Sequence, residues 1–373
     1  MIWDYLIVGA GFAGAVLAER LASQCGATCL VIDRRDHLAG NAFDSPDRAG
    51  VRLHRYGPHY FRTNSDRVVA YLSQFTEWHP VDYRILSWTE GRYWPFPVNL
   101  NTFEQLLGRP SSTEEMEHTL AKWREPLPDG VAPRNSEEVI LSQVGRRFYE
   151  LFFHGYTRKQ WQREPRDLDA SVCGRIPIRT NRDDRFLSER FQALPVKGYT
   201  AMFERMLAHP KIEVRLRTDF REARHQIQYR HLIYTGPIDE YFDRSEGPLP
   251  YRSLRFEPET LAQEFFQPVV QVNYPNDHDF TRIVEIKHVT GQQLPLTTIV
   301  REYPAAYAPG GEPFYPIPAP DARALYQRYA ERAALEKNVS FVGRLATYRY
   351  YNMDQVVASA LVEFEKLAGR KPR

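Results

Sequence analysis

The chain of 373 residues holds only three cysteines, Cys25, Cys29 and Cys173, and none has metal-ligand spacing. A disulfide-stapled secreted framework and a cysteine metal site are therefore excluded as organising principles. Cys25 and Cys29 fall at the end of an expected helix and the start of an expected strand, so both are expected to be buried thiols. No apolar run approaches the ~20 residues that cross a bilayer, and no membrane partner is expected. The opening MIWDYLIVGAGFAG has no basic n-region and breaks at glycines, so it reads as a strand and turn rather than a leader. A cytoplasmic protein is expected. Charge bias is also lacking: 49 Lys and Arg against 47 Asp and Glu leave a formal net charge of +2. That balance argues against nucleic acid as a partner, because general nucleic-acid binders carry a marked basic excess. With 43% hydrophobic residues, disorder is excluded. The length exceeds one simple core, and two or three structural units are expected.

Against this even background, one stretch is locally basic and aromatic. GYTRKQW (Gly155 to Trp161) and GRIPIRTNRDDRF (from Gly174) together carry Tyr156, Arg158, Lys159, Trp161, Arg175, Arg179, Arg182 and Arg185. Flat rings beside arginine forks suit a stacked base and a held phosphate. The local character of the cluster favours a small anionic ligand.

The first forty residues supply a frame for such a ligand. Asp4 to Val8 reads as a buried strand, Gly9, Gly11 and Gly14 open a helix running to about Ser23, and Thr28 to Ile32 reads as a second strand ending at Asp33. Glycines at that spacing allow a tight turn and close approach of backbone to a pyrophosphate on the helix N-terminus. Asp33 is placed to accept from a ribose hydroxyl.

Further along, Arg84 to Val98 alternates around Glu90-Gly91 and predicts a hairpin. Helical periodicity dominates from Thr102 to Asp167, for instance across Glu137 to Phe153, with a loop at Pro126 to Pro133. Ile212 to Val214 and His231 to Tyr234 read as strands returning to the first sheet. Residues 250–303 alternate (QPVVQVNY, TRIVEIKHV, TTIVREYP) and predict a mostly antiparallel sheet. A helix over Asp321 to Lys337, a strand at Ser340 to Val342 and a closing helix from Met353 complete the chain.

With these blocks in order, the sequence resembles the UDP-galactopyranose mutase family along nearly its whole length. The resemblance rests on VGAGFAGAVLAERLA, YGPHYFRTN (Tyr56 to Asn64), WPFPVNL (Trp94 to Leu100), GYTRKQW and GRIPIRTNRDDRF. It continues through LIYTGPIDEYFD (Leu232 to Asp243), YRSLRFE (Tyr251 to Glu257), FYPIP (Phe314 to Pro318) and GRLATYRYYNMDQV (Gly343 to Val356). It implies an α/β fold: a Rossmann-type FAD-binding domain with a helical insertion domain and an antiparallel β-sheet domain. The expected FAD-binding parts are 1–83, 193–248 and 321–373. The sheet domain takes a hairpin at 84–99 and the span 249–320, the helical domain 100–173, and a mobile substrate loop with a sheet segment 174–192.

The activity implied is that of an isomerase that interconverts UDP-galactopyranose and UDP-galactofuranose for galactofuranose biosynthesis and cell wall polysaccharide. The family's reaction needs reduced FAD, shows no net redox change and passes through a flavin N5–sugar adduct. NAD(P)H or another reductant and a homodimer are implied with it. Such chemistry asks for positioning, a held pyrophosphate and exclusion of water rather than many acid–base groups. The same ring contraction on UDP-N-acetylgalactosamine or a deoxysugar nucleotide is the first alternative. An FAD-dependent oxidoreductase and a non-catalytic nucleotide-binding relative are the others.

By resemblance, Arg175, Arg282, Tyr315, Tyr350 and His59 are the catalytic set. Phe152, with Phe153, joins Tyr156, Trp161, Phe186, Asn273 and Asn352 as substrate contacts. Gly9, Gly11, Phe12, Gly14, Asp33, Arg34, Asn41, His59, Arg344, Met353 and Gln355 are expected to hold FAD. The chain departs from the family pattern at Arg62 (commonly histidine), Phe186 (commonly tyrosine) and Asn352 (commonly aspartate). Two of these changes move local charge in the positive direction, and the third removes a hydroxyl.

Overall fold

In the computed structural model, which describes residues 2–308 and 310–369, the apolar run at the start forms strand β1 (Ile2–Val8), helix α1 (Phe12–Cys25) and strand β2 (Cys29–Ile32). β1 lies at the centre of a five-stranded parallel sheet, flanked by β2 and Ile212–Arg215 on one side and by Gln228–Tyr234 and Val339–Phe341 on the other. The turn between β1 and α1 is held close by glycine. A methyl group on Gly14 would stand 1.9 Å from the Gly9 carbonyl oxygen, and Gly9 itself adopts φ +107°. Leu17, Leu21 and Val16 of α1 are fully buried, each contributing about 1.5–3 kcal/mol. The helix packs between Gly198–Leu207 and the closing helix Met353–Leu367.

A seven-stranded sheet stands beside this layer. Its order is Tyr315–Pro316, Tyr251–Leu261, Thr297–Ala306, Arg282–Val284, Gln271–Asn273, Ile85–Thr89 and Arg92–Phe96. All neighbours are antiparallel except Gln271–Asn273 with Ile85–Thr89. The alternation in TRIVEIKHV does not continue as strand: it ends at Val284, and Lys287–Thr290 forms a helical turn. The Glu285 carboxylate causes the bend by accepting from the Phe266 and Gln267 amides and the Thr297 hydroxyl.

The helical region runs Leu100–Leu107, Thr113–Trp123 and Ser136–Phe148, with Asn99, Ser112 and Asn135 each accepting a first-turn amide. Such caps satisfy donors that the helix leaves unpaired. The periodic stretch Glu137 to Phe153 is not one regular helix. Gly145 breaks it at φ +76°, where a side chain would strike the Trp123 carbonyl at 2.2 Å. Beyond Phe148 the chain widens into a π-type turn, Tyr149–His154, before Gly155–Trp161. The helix expected over Asp321 to Lys337 spans Pro320–Ala333. Of the two thiols expected to be buried at the start, Cys29 is buried, but Cys25 is exposed. It is the last residue of α1, where the helix end leaves it open to solvent.

Candidate active site

The first of two adjoining clefts opens at the C-terminal end of β1. Gly9, Gly11, Phe12, Asp33, Arg34 and Asn41 line it. Gly14 does not; its role is the close packing of α1 on the turn. The Asp33 carboxylate ends β2 as expected, but each oxygen already accepts a backbone amide, from Ala10 at 2.8 Å and Arg35 at 2.9 Å. It therefore fixes the glycine turn as well as facing the cleft. Arg34 stands 3.7 Å from Glu240 and 3.5 Å from Glu312. Its neighbour Arg35, which sequence reasoning missed, reaches deeper, pairing with Glu312, donating to Asn41 Oδ1 at 2.9 Å and stacking over Tyr56. Arg344 follows Gly343, and its guanidinium donates to the Phe314 and Tyr351 carbonyls. A glycine turn that a Cβ would fill, a helix N-terminus with unpaired amides and an acid at the end of β2 fit the pyrophosphate and ribose of an adenine dinucleotide.

The second cleft shares Asn41, His59, Arg344 and Met353 with the first. Gln355 lines neither: its side chain accepts the Asn352 amide at 2.9 Å and caps the closing helix. The inner wall comes from three adjacent strands. Asn273 pairs with Arg282, and Arg282 pairs with Glu302, so the three residues stand side by side. Arg282 Nη2 donates to both Glu302 oxygens at 2.8 and 2.7 Å, and Glu302 is 1% exposed. Burial alone would lower the Arg282 guanidinium, but the Glu302 charge, the Tyr156 and Tyr315 hydroxyls and the hydrogen bonds to Glu302 together hold it well above its ordinary value. Glu302 was not foreseen; the available signal was an acid at an inward position of an alternating strand. Asn273 Oδ1 accepts from Gln271 Nε2 at 2.8 Å.

Opposite stand Phe152 and Phe153 on the wide turn and Tyr156 one turn later, with Phe186 beside Phe96. Tyr315, Tyr350, Arg175 and Asn352 close the cavity. Burial raises the Tyr315 and Tyr156 hydroxyls, with Glu302 adding to the effect and Arg282 opposing it, so both stay protonated donors. Trp161 does not reach the cavity. It is 4% exposed and packs behind Tyr315 and Tyr350, ring centroids 6.2 and 5.6 Å away.

The basic stretch expected to clamp an anion is mostly engaged elsewhere. Arg158 is exposed on a separate groove, Lys159 is bound to loop carbonyls, and Arg179 donates to the Asp183, Arg185 and Leu187 carbonyls. Arg182 pairs with Glu104 and Arg185 with Asp183. Of the eight basic and aromatic residues named in that stretch, only Tyr156 and Arg175 line the cavity. Arg62 also lines it, 3.4 Å from Glu189. Burial lowers its guanidinium, and the nearby Arg175 charge adds to this.

His59 sits at the junction of the clefts. Its backbone amide donates to His54 Nδ1, its carbonyl accepts from the Tyr199 hydroxyl, and its own Nδ1 lies 2.8 Å from the Gly57 carbonyl. Burial, then the His54 and Arg344 charges, lowers its pKa to about 3. The ring is neutral, with Nδ1–H donating to Gly57 and Nε2 left as an acceptor. The cavity as a whole is built to hold an anion with cations and hydroxyl donors.

The family profile described as UDP-galactopyranose mutase matches residues 151–350, and one described as an NAD(P)-binding Rossmann-like domain matches 7–75. A probable UDP-galactopyranose mutase from Klebsiella pneumoniae is 38% identical over 96% of this chain and 93% of its own. A dTDP-fucopyranose mutase from Escherichia coli is 34% identical over 95% and 96%. A crystal structure of reduced UDP-galactopyranose mutase matches 99% of this chain and 94% of its own with TM-score 0.79 at 17% identity, a likeness of fold. Profile and full-length relatives agree with the Rossmann frame and the arginine–tyrosine cavity, and the chain is an isomerase that belongs to the UDP-galactopyranose mutase family.

Proposed function

We propose that the protein interconverts UDP-galactopyranose and UDP-galactofuranose, with reduced FAD in the first cleft and the sugar nucleotide in the second. The observation that carries this reading is the convergence of Arg175, Arg282, Tyr315 and Tyr350 in a cavity sharing His59, Asn41, Arg344 and Met353 with the dinucleotide cleft. When bound, reduced FAD supplies N5 as a nucleophile for the anomeric carbon without net electron transfer.

The chain's own groups do the rest. Arg175 and Arg282 take up charge on the diphosphate as its bond to the anomeric carbon breaks, and the Tyr315 and Tyr350 hydroxyls donate to the same oxygens. Phe152, Tyr156 and Phe186 border the base, and Asn273 offers it an amide. Neutral His59 accepts from a sugar hydroxyl or the cofactor without competing as an acid. The buried aromatic lining keeps water from the reacting sugar. A cytoplasmic homodimer, reduced by NAD(P)H or another reductant and supplying galactofuranose for cell wall polysaccharide, belongs to the same reading.

A second reading keeps the chemistry and changes the substrate to a deoxysugar on a different nucleotide. It is favoured by the dTDP-fucopyranose mutase relative and by the apolar Phe186 on the cavity wall. The test is incubation of dithionite-reduced protein with UDP-galactofuranose, then with dTDP-fucofuranose, and chromatography of the products. Conversion of the first supports the main reading, and conversion of the second alone moves it to the deoxysugar. Flavin reduction by an amine substrate, or tight UDP binding without any conversion, would overturn both.

A further inference from the structure

Lys159 lies in the basic stretch but turns away from the cavity. Its ammonium donates into a ring of four backbone carbonyls, Tyr274 at 2.5 Å, Asp277 at 3.1 Å, His278 at 3.0 Å and Phe280 at 3.2 Å. Three N–H donors against four acceptors leave no capacity for a ligand. All four carbonyls belong to the loop joining Gln271–Asn273 to Arg282–Val284, whose two ends carry Asn273 and Arg282 into the cavity.

Two further contacts dock the same loop. Asn276 Nδ2 reaches the Glu150 and Leu151 carbonyls at 3.3 Å each and the Thr89 hydroxyl at 3.1 Å. Those two carbonyls lie in the widened turn, where an i→i+5 pattern loosens the regular helical ladder. At Gly155 a side chain would meet Asn276 Oδ1 at 2.4 Å and the Pro275 carbonyl at 2.6 Å, so only glycine lets the loop seat. The segment bearing Phe152 and Tyr156 and the loop leading to Arg282 are thereby joined at three points.

We propose that Lys159 is a positioning residue for the mutase reaction: by tying the 274–281 loop to the helix of Tyr156, it sets the spacing between Tyr156 and Arg282. This rests on the proposed sugar-nucleotide site. The Lys159 contacts act on the loop's own carbonyls, so an error at Phe280 is passed on to Arg282 through two peptide units. A displacement of 1 Å at a charge that must meet a diphosphate costs about 10²-fold in rate.

The test uses FAD-loaded protein, UDP as binding probe and UDP-galactofuranose as substrate. Lys159→Met is expected to weaken UDP binding and to lower kcat/KM by about 10²-fold, with FAD content unchanged. Asn276→Ala, a milder cut at the same joint, is expected to act in the same direction. In an Arg282→Ala background, Lys159→Met is expected to add little, since both act through one guanidinium. The full loss repeated in that background, or unchanged UDP affinity in both single variants, overturns the inference alone. Failure of the unaltered protein to bind UDP overturns it together with the site it rests on.

Discussion

The Arg175 guanidinium lies over the ring of Tyr350, 4.4 Å from its centroid, while Trp161 packs edge-on against the same ring from another side. Among the described residues Arg175 forms no ion pair. A cation–π contact contributes about 0.5–2 kcal/mol, enough to orient the guanidinium and little enough to be exchanged for a diphosphate.

Arg175→Ala is expected to reduce turnover by about 10²–10³-fold, the effect of losing one preorganised donor. Arg175 does not line the dinucleotide cleft, so FAD content should hold. Steady-state rates and the flavin-to-protein absorbance ratio check this. Parallel loss of both would show a structural role.

Glu302→Ala removes the carboxylate that balances Arg282. Leaving one member of a buried pair uncompensated costs about 3–5 kcal/mol, and the lower end applies because Arg282 borders the cavity. The denaturant midpoint reports it; a change below about 1 kcal/mol would place the pair in the surface class.

Phe186→Tyr adds a hydroxyl on the cavity wall. A new hydrogen bond to the nucleotide contributes about 0.5–1.5 kcal/mol, a two- to tenfold gain in affinity. Calorimetry with UDP and dTDP measures it, and no gain for either would remove Phe186 from the nucleotide wall.

Acid should destabilise the fold through two histidines. Burial lowers His54 and His59 to about 3, with Arg52 adding to the effect on His54. From pH 6.5 down toward 3 the unfolded chain takes up protons that the native chain refuses. Stability should therefore fall as pH falls through that window, by at most ~1.4 kcal/mol per pH unit for each histidine. Urea titrations at pH 7, 5.5 and 4.5 test this, and His54→Gln should flatten the slope. In the same range, kcat should show no limb from His59.

Gly14→Ala sets a methyl against the Gly9 carbonyl. Overpacking of this kind costs about 1–3 kcal/mol and displaces the turn, so FAD retention after gel filtration should drop. Full retention with unchanged stability would mean that the turn yields freely.

Much of the frame was legible because its determinants are local. The glycine spacing after Val8, the acid after Ile32 and the glycine after Val342 each set a turn within a few residues. The alternation at 84–98 set a hairpin in the same way. The break at Gly145 and the helical turn at Lys287–Thr290 were not legible, because each is imposed by a group from another element. The Trp123 carbonyl crowds the first, and the carboxylate of Glu285 draws the 266–267 and 297 segments around the second. Exposure of Cys25 beside buried Cys29 depends likewise on what covers the end of a helix.

The sequence by itself determined the kind of protein: a Rossmann frame at both chain ends, and between them an inventory of arginines, tyrosines and aromatic rings suited to a held diphosphate. Only the tertiary structure decided which of those groups face the cavity. Composition put eight aromatic and basic residues in one stretch, yet two of them line the site. Of the rest, Lys159 and Arg179 are held by carbonyls and Arg182 and Arg185 by carboxylates, while a second cavity arginine, Arg282, is paired with Glu302 on a neighbouring strand. A cation's role follows from its nearest anion or carbonyl, and here such partners lie as far apart in the chain as Arg35 and Glu312, 277 residues. That pairing is a property of packing rather than of local sequence.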